Sequence, residues 1–216
     1  MCSFCVVKAA HECSVLAIKK SSDSCIYSRD ISYYTLTGLS FEEGRGGIAL
    51  KEMRPTTGKV MLALFNILGN INGESFLDLF SGSGQIALTA AKKGAAPVVL
   101  VESERSRHAD ILKKAPAGVK CLCMDARRAL QRFAKTGEAF DIIFADPPYR
   151  LGWGKELPAL LEANEAALAG DGVFIFEHSE EEEPAALDEK KWERTDRQYG
   201  GTVLSFYRRI SEEGNN

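Results

Sequence analysis

The chain has 216 residues, of which 45% are hydrophobic and 26% are charged, the composition of a globular protein with enough apolar residues for one core of ordinary size. Its formal net charge is −3, which excludes the basic balance of a strong general nucleic-acid binder and restricts any such contact to a local patch. No stretch approaches the roughly 18 apolar residues of a membrane span, so we expect a cytoplasmic protein with no membrane contact.

The first 30 residues are rich in cysteine. Four of the six cysteines precede residue 26: Cys2, Cys5, Cys13 and Cys25. Only Cys2-x-x-Cys5 has the spacing of metal ligands, and no second close pair follows it. We therefore predict reduced thiols and no metal site. Further on, a glycine-rich turn at 44–47 lies between apolar segments, and this pattern predicts a short hairpin.

A helix is predicted from Val60 to Leu68, where apolar residues recur at helical spacing before Gly69. Arg54-Pro55-Thr56-Thr57 precedes it, and the proline disfavours helix at Arg54 while a threonine can cap the helix. Four basic residues cluster around the hairpin turn and this start: Arg45, Lys51, Arg54 and Lys59. Either Arg54 is a phosphate or cofactor contact beside the active site, or the segment is only a capped helix that packs on the core.

The stretch from Asp78 to Gly84 predicts a ligand site. A strand from Phe76 to Phe80 breaks at Gly82-Ser83-Gly84, and a helix from Gln85 to Lys93 follows at once. Glycines permit positive φ and let a ligand approach the backbone. Because the first amides of a helix have no partner within it, this turn suits a nucleotide-like cofactor.

The identity of that cofactor is a choice between two patterns. Gly82-x-Gly84-x-x-Ala87 with Glu102 fits the relaxed dinucleotide fingerprint. In favour of S-adenosyl-L-methionine, Asp78 lies where a carboxylate meets the ammonium group of an amino-acid-bearing ligand. Asp146-Pro147-Pro148-Tyr149 also follows another apolar strand. These two stretches resemble motifs of S-adenosylmethionine-dependent amino-methyltransferases, and we favour that interpretation.

The rest of the chain alternates between strands and helices. Strands are predicted at 97–102, 119–124, 140–145 and 173–178, helices at 105–114, 126–134 and 155–168, and a terminal hairpin at 192–197 and 202–207. This alternation predicts an α/β fold with a mostly parallel sheet covered on both faces. Ligands of such sheets bind at the carboxyl ends of the strands, where four acids lie: Asp78, Glu102, Asp125 and Asp146.

Each acid has a predicted role. Glu102 would accept the two ribose hydroxyls, and Asp125 would accept the adenine amino group while the Ala126 N–H donates to the ring. Asp125 could equally be only the N-cap of the next helix. The predicted donor site also includes Phe80, Gly82, Gly84 and Asp146.

Three smaller predictions concern residues outside the motifs. We expect His178 to be structural and the acidic run 180–183 to be a solvated loop. Cys121 and Cys123 alternate along a predicted strand, and we expect both to be small buried hydrophobic residues.

Asp146-Pro147-Pro148-Tyr149 predicts the reaction. An exocyclic amine of a base is a poor nucleophile because its lone pair is delocalised into the ring. The Asp146 carboxylate and the Pro147 carbonyl can each accept one N–H, and Tyr149 can stack on the base. No separate general base is evident. An exposed base in single-stranded RNA is reached at low cost, whereas duplex DNA requires base flipping, and no spare domain reads DNA.

Four elements in this order resemble the bacterial 16S rRNA guanine-N2 methyltransferase family that modifies guanine 966, over residues 38 to 208. They are Arg54-Pro55-Thr56-Thr57, the Asp78 to Gly84 stretch, Asp146-Pro147-Pro148-Tyr149 and the Tyr199-Gly200 hairpin. The resemblance implies a class I, Rossmann-like methyltransferase with a seven-stranded sheet, a C-terminal antiparallel hairpin and a small N-terminal extension.

The resemblance further implies N2 methylation of a guanine in 16S rRNA or in the small ribosomal subunit. The implied enzyme is a monomer that binds RNA through Arg45, Lys51, Arg54, Lys59 and Tyr149. We predict an N-terminal extension at 1–53, a catalytic domain at 54–210 and a polar tail at 211–216.

Two features depart from the family pattern. Gly58 and Lys59 replace an acid and an arginine, and Glu42 and Glu43 make the hairpin less basic. Two alternatives therefore remain open. One is an amino-methyltransferase acting on another nucleic acid (N6 of adenine) or on a protein, and the other is a non-catalytic RNA-binding assembly factor with the same fold.

Overall fold

The computed structural model of the protein describes residues 58–210. The predicted hairpin around 44–47 and the side chains of Arg45, Lys51 and Arg54 lie outside this range. The elements in chain order are α1 (Gly58–Leu68), β1 (Phe76–Asp78), α2 (Gln85–Lys92), β2 (Val98–Glu102), α3 (Arg105–Leu112), β3 (Val119–Cys123), α4 (Ala126–Thr136), β4 (Phe140–Ala145), α5 (Trp153–Ala163), a 3₁₀ turn (Glu165–Ala167), β5 (Leu168–Ser179), β6 (Trp192–Tyr199) and β7 (Thr202–Arg209).

Seven strands form one sheet in the order β3-β2-β1-β4-β5-β7-β6. Strands β1 to β5 are parallel, and β7 runs antiparallel to both β5 and β6. The predicted mostly parallel sheet with an antiparallel terminal hairpin is confirmed. The chain order reverses between β1 and β4, and such switch points are where open α/β sheets bind ligands, at the carboxyl ends of the strands.

Both faces of the sheet are covered, as the alternation of strands and helices predicts. One face packs against α4 and α5, with Leu77, Ile143 and Leu130 in one cluster. The other face packs against α1, α2 and α3, with Phe76 and Ile142 in a second cluster. Neighbouring residues of one strand point to opposite faces, so β1 and β4 contribute to both cores.

Most element boundaries lie within three residues of the predicted ones, and the stretch after α5 is the main exception. The helix ends at Ala163 instead of Leu168, and β5 begins at Leu168 instead of Val173. Leu168 pairs with Phe140, and a register irregularity follows before Val173 pairs with Ile142. Pairing with Phe140 therefore brings Leu168, the last residue of the predicted helix, into β5.

The smaller predictions have mixed outcomes. His178 is buried between the Ser179 carbonyl and the Ser205 hydroxyl, at 2.8 Å from each, which confirms a structural role. Cys123 is exposed and Cys121 only partly buried, so their predicted burial is wrong. The reason is that β3 lies at the edge of the sheet.

The acidic run 180–183 is not wholly solvated, because the Glu182 carboxylate accepts the Gly154 N–H at 2.8 Å. None of the helices in residues 58–210 combines the length and apolarity that a bilayer crossing requires.

Leucine truncation should show which helix faces carry the stability. Leu130 is fully buried on α4, whereas Leu112 at the end of α3 is 54% exposed. We expect Leu130→Ala to lower the free energy of unfolding by about 3–5 kcal/mol, because transfer energy is lost and a cavity forms. Leu112→Ala should change it by no more than about 0.5 kcal/mol. Urea titrations of both variants measure this, and equal losses would contradict the packing described.

Candidate active site

The turn after β1 has the backbone shape that its glycines predict. Gly82 has φ 52° and Gly84 has φ 78°, both left-handed. A Cβ on Gly84 would lie 3.3 Å from a methyl carbon of Leu100, so this position requires glycine for both its backbone and its packing. Helix α2 begins directly afterwards at Gln85, which points the amides of its first turn toward the carboxyl edge of the sheet.

Ser81 fastens this turn to β2. Its N–H donates to the Val101 carbonyl at 3.0 Å, and its hydroxyl accepts the Val101 N–H at 3.1 Å. The same hydroxyl lies 3.1 Å from the Asp78 carbonyl, to which it donates. The serine thus continues the β1–β2 pairing beyond the strand end and holds the glycine turn in place.

Asp78 is the most buried acid of the site, with 1% of its surface exposed. One carboxylate oxygen accepts the Phe80 N–H at 3.3 Å. No lysine or arginine within residues 58–210 forms an ion pair with it. Burial, together with the nearby charge of Asp146, raises the pKa of Asp78 from 3.8 to about 7. A cationic group in this position would restore the ionised form.

Glu102 connects the end of β2 to the glycine turn. One carboxylate oxygen accepts the Gly82 N–H at 2.9 Å, and the other accepts the Glu104 N–H at 2.8 Å. Arg107 approaches the second oxygen at 3.8 Å. Each carboxylate oxygen has a further lone pair, so hydroxyl donors can still bind to this buried group.

Asp125 caps α4, as one of its two predicted roles requires. Its carboxylate accepts the Arg127 N–H at 2.9 Å, and the other oxygen lies 3.2 Å from the Arg127 guanidinium. Ala126, which follows, is buried. The contact of these two residues with an adenine ring stays a prediction.

The loop after β4 carries the acceptor motif. Asp146 and Tyr149 are partly buried, Pro147 is buried and Pro148 is exposed. Because β1 and β4 are paired neighbours, Asp146 lies close enough to Asp78 for its charge to raise the pKa of that group. The fold therefore brings the two motifs, 68 residues apart in the chain, to one place.

Trp153, which the motifs did not indicate, joins the two sides of this site. Its ring packs edge-on against Phe80 at 4.8 Å between centroids, and the Arg127 guanidinium lies 4.0 Å above it. Arg127 in turn forms a two-point ion pair with Glu156, with one N–O distance of 2.6 Å. Trp153 thus links the end of β1, the start of α4 and the loop after β4.

Two further residues shape the acceptor loop. Arg150, directly after Tyr149, has φ 64°, which is strained for a residue other than glycine, and its side chain is exposed. Gly154 donates its N–H to Glu182 and accepts a hydrogen bond from the Ala185 N–H at 2.9 Å. The loop is thereby held from the α4 side and from the segment that follows β5.

Lys59, one of the predicted basic contacts, is exposed near the start of α1. A small cavity adjoins the glycine turn and is lined by Gly82, Ser83 and residues of α3. A larger concavity of about 300 Å³, lined by Ile67, Phe206 and charged residues of both signs, contains none of the predicted site residues. Within residues 58–210, no cluster of His, Cys, Asp or Glu is arranged to hold a metal ion.

Sequence comparisons place this site in a known context. Residues 47–208 match the family described as "Conserved hypothetical protein 95". The Bacillus subtilis protein "Putative rRNA methyltransferase YlbH" is 30% identical over 179 residues, which are 75% of this chain and 91% of that protein. "Ribosomal RNA small subunit methyltransferase D" of Escherichia coli K12 is 35% identical over 135 residues, 60% of this chain and 66% of that protein.

Solved structures show the same architecture. "Putative methyltransferase yhhF from Escherichia coli" superposes with a TM-score of 0.64 at 27% identity, covering 73% of this chain and 90% of its own. A structure described as "SMU.776, a putative methyltransferase complexed with SAH" has a TM-score of 0.54 at 17% identity, covering 70% and 48%, a likeness of fold alone. The predicted class I methyltransferase fold is confirmed.

The raised pKa of Asp78 should appear in the pH dependence of stability. A carboxyl whose pKa is higher in the folded chain favours folding below pH 3.8, and this contribution is lost as the pH rises through about 7. We expect Asp78→Asn to be the more stable protein above pH 7, by roughly 4 kcal/mol, with the difference vanishing toward pH 4. Urea unfolding of both proteins from pH 4 to 8 measures it.

Asp141 supplies a control of opposite sign. Its carboxylate accepts the Ser75 N–H at 2.8 Å and the Ser75 hydroxyl at 2.6 Å, and these bonds lower its pKa. Its contribution is therefore present at neutral pH and lost as the pH falls through the lowered pKa. Asp141→Asn should be less stable than wild type at pH 7. If the free energies of unfolding of wild type and Asp78→Asn differed by the same amount at every pH from 4 to 8, the raised pKa of Asp78 would be contradicted.

Proposed function

The chain belongs to the family described as conserved hypothetical protein 95, which includes small-subunit rRNA methyltransferases, and from this we propose that it methylates the exocyclic N2 amine of a guanine in 16S rRNA. The methyl donor is S-adenosyl-L-methionine. The observation that carries the proposal is the meeting of Asp78 and Asp146 at the β1–β4 switch point. The closeness of Asp78 to the Asp-Pro-Pro-Tyr loop supports a donor site beside an acceptor site.

The residues on the donor side fit this cofactor chemically. Asp78 is a buried carboxyl without a cationic partner in residues 58–210, and the ammonium group of the methionine moiety supplies one. Glu102 lies at the end of β2 with lone pairs for the ribose hydroxyls, and Asp125 with the Ala126 N–H lies at the end of β3 for the adenine. When bound, S-adenosylmethionine supplies an electrophilic methyl group on a sulfonium.

The residues on the acceptor side hold the amine. The Asp146 carboxylate and the Pro147 carbonyl each accept one N–H of the amine, which favours a pyramidal nitrogen with its lone pair directed at the methyl group. Tyr149 stacks on the base. Orientation and the carboxylate charge lower the barrier, and Asp146 is a positioning group and a late proton acceptor.

The proposed substrate class rests on the relatives. The Bacillus subtilis and Escherichia coli relatives are both named as rRNA methyltransferases, the second for the small subunit. An exposed base in RNA, which is reached without flipping, fits such a substrate. Arg45, Lys51, Arg54 and Lys59 remain proposed RNA contacts, the first three outside the described residues.

Methyl transfer tests the proposal directly. Tritium from labelled S-adenosylmethionine should be transferred to small ribosomal subunits that lack native methylation, and nucleoside analysis should recover it as N2-methylguanosine. Naked 16S rRNA and DNA are assayed in parallel. Label recovered as N6-methyladenosine or on protein would favour the alternative amino-methyltransferase. Failure to bind the methyl donor would favour a non-catalytic assembly factor, whereas donor binding without transfer would discard the rRNA assignment.

Asp146→Ala tests the acceptor site. We expect kcat to fall about 10²- to 10⁴-fold, because the amine loses its acceptor. Donor binding should persist, since removal of this charge lets Asp78 ionise more easily. Asp171→Ala is the control, because Asp171 is exposed near the amino end of β5, away from the carboxyl ends of the strands that carry the site. This variant should keep wild-type kcat. Full activity of Asp146→Ala would refute the proposed role.

A further inference from the structure

Helix α4 carries charge of one sign only. Four of its eleven residues are basic (Arg127, Arg128, Arg132 and Lys135), and none is acidic. Its buried side consists of apolar residues that pack on the sheet, among them Leu130 and Phe133. The cations therefore accumulate on the side away from the core, in a chain whose net charge is −3.

Three of these cations form a row. Arg128, Arg132 and Lys135 lie at spacings of four and three residues, which place them on one face of a helix about 6 Å apart, and all three are exposed. We call this row the α4 basic stripe. It spans about 10 Å of a helix that is about 16 Å long.

The stripe has no acidic partner within residues 58–210. Other cations do have one: Arg127 pairs with Glu156, Lys113 with Asp110 and Lys120 with Glu138. No hydrogen bond or ion pair of the described range joins the Arg128, Arg132 or Lys135 side chain to an acid. A helix surface that is only solvated usually mixes both signs of charge, whereas this row presents three uncompensated cations.

Helix stability does not account for the whole stripe. The macrodipole favours a cation in the last turn of a helix, where Lys135 lies, and disfavours one in the first turn. Arg128 lies in the first turn, which contains no acid. Arg127 offsets the unfavourable interaction with the helix dipole through its ion pair with Glu156, whereas Arg128 has no ion pair within residues 58–210. Arg128 therefore indicates a partner outside the described chain.

The position of the stripe relates it to the active site. Helix α4 begins at Asp125–Ala126, at the carboxyl end of β3, so Arg128 lies near the edge that carries Asp78 and Asp146. From there the stripe descends along the side of the molecule. If one base of a nucleic-acid strand reaches the Asp146 loop, the phosphates of the neighbouring nucleotides must pass this end of the sheet. The stripe places a row of cations along one of the paths that they can follow.

We propose that the α4 basic stripe binds the phosphate backbone of the RNA strand flanking the target base. The partner follows from the proposed function, and the surface itself follows from the charges and position of α4. Phosphate contacts of this kind fix the register of the RNA without reading its sequence.

The salt dependence of RNA binding tests the stripe. In the triple variant Arg128→Gln/Arg132→Gln/Lys135→Gln, the slope of log affinity against log salt for naked 16S rRNA should become shallower by about 2, because each phosphate that a cation neutralises on a single strand contributes roughly 0.7 to the slope. Affinity at 0.1 M salt should fall about ten- to a hundredfold. In methyl transfer, KM for RNA should rise while kcat and donor binding stay at wild-type values.

A control variant with three other lysines replaced by glutamine changes the net charge by the same amount as the stripe variant. The control uses three exposed lysines at the amino ends of the parallel strands, away from the carboxyl ends that carry the site. They are Lys92 at the end of α2, and Lys190 and Lys191 just before β6. Lys92→Gln/Lys190→Gln/Lys191→Gln should leave the slope unchanged. An unchanged slope in the stripe variant, or an equal change in the control, would overturn the proposal. Absence of methyl transfer by the wild type would refute the proposed function separately, because the slope measures binding and needs no turnover.

Discussion

The burial of the Asp78 carboxyl beside Asp146 is the constraint on which the site depends. Two acids at the ends of paired strands cannot both ionise without cost, and burial raises the pKa of Asp78 to about 7. An uncharged side chain there would make a more stable protein. In the proposed donor site, the ammonium group of the ligand supplies the counter-charge of this carboxyl, so part of the ligand's binding energy would be spent on ionising Asp78.

Such a site works only if its acids cannot move apart, and the neighbouring contacts fix them. Ser81 holds the turn after Asp78 to β2, and Glu102 holds the same turn through the Gly82 N–H. On the acceptor side, Trp153 lies between Phe80 and the Arg127 guanidinium. A displacement of the loop after β4 must therefore disturb α4 and the end of β1 together, which would keep the proposed donor and acceptor sites aligned.

The sequence predicts best what is local. Strand β4 is apolar apart from Asp141 and has the predicted bounds, and the glycines of the turn after β1 permit the positive φ that they adopt. Contacts between segments that are distant in the chain could not be predicted from the sequence. Leu168 joins β5 because it pairs with Phe140, Glu182 is drawn from an acidic run to the Gly154 N–H, and Cys123 is exposed because β3 is an edge. No motif indicates Trp153, and its contacts with Phe80 and Arg127 reveal its position beside the site.

The charges of the site also limit where RNA affinity can originate. Asp78, Glu102, Asp125 and Asp146 lie at one edge of the sheet, so a phosphate close to this edge meets negative charge whenever these groups are ionised. An enzyme with this edge needs its cations beside the site and not within it. The α4 basic stripe satisfies that requirement, since it begins near the edge, has no acid among its own residues and leads away from the four carboxylates. In the proposed enzyme, this separation of charge would let the acidic edge bind the methyl donor while the stripe binds the backbone of the substrate.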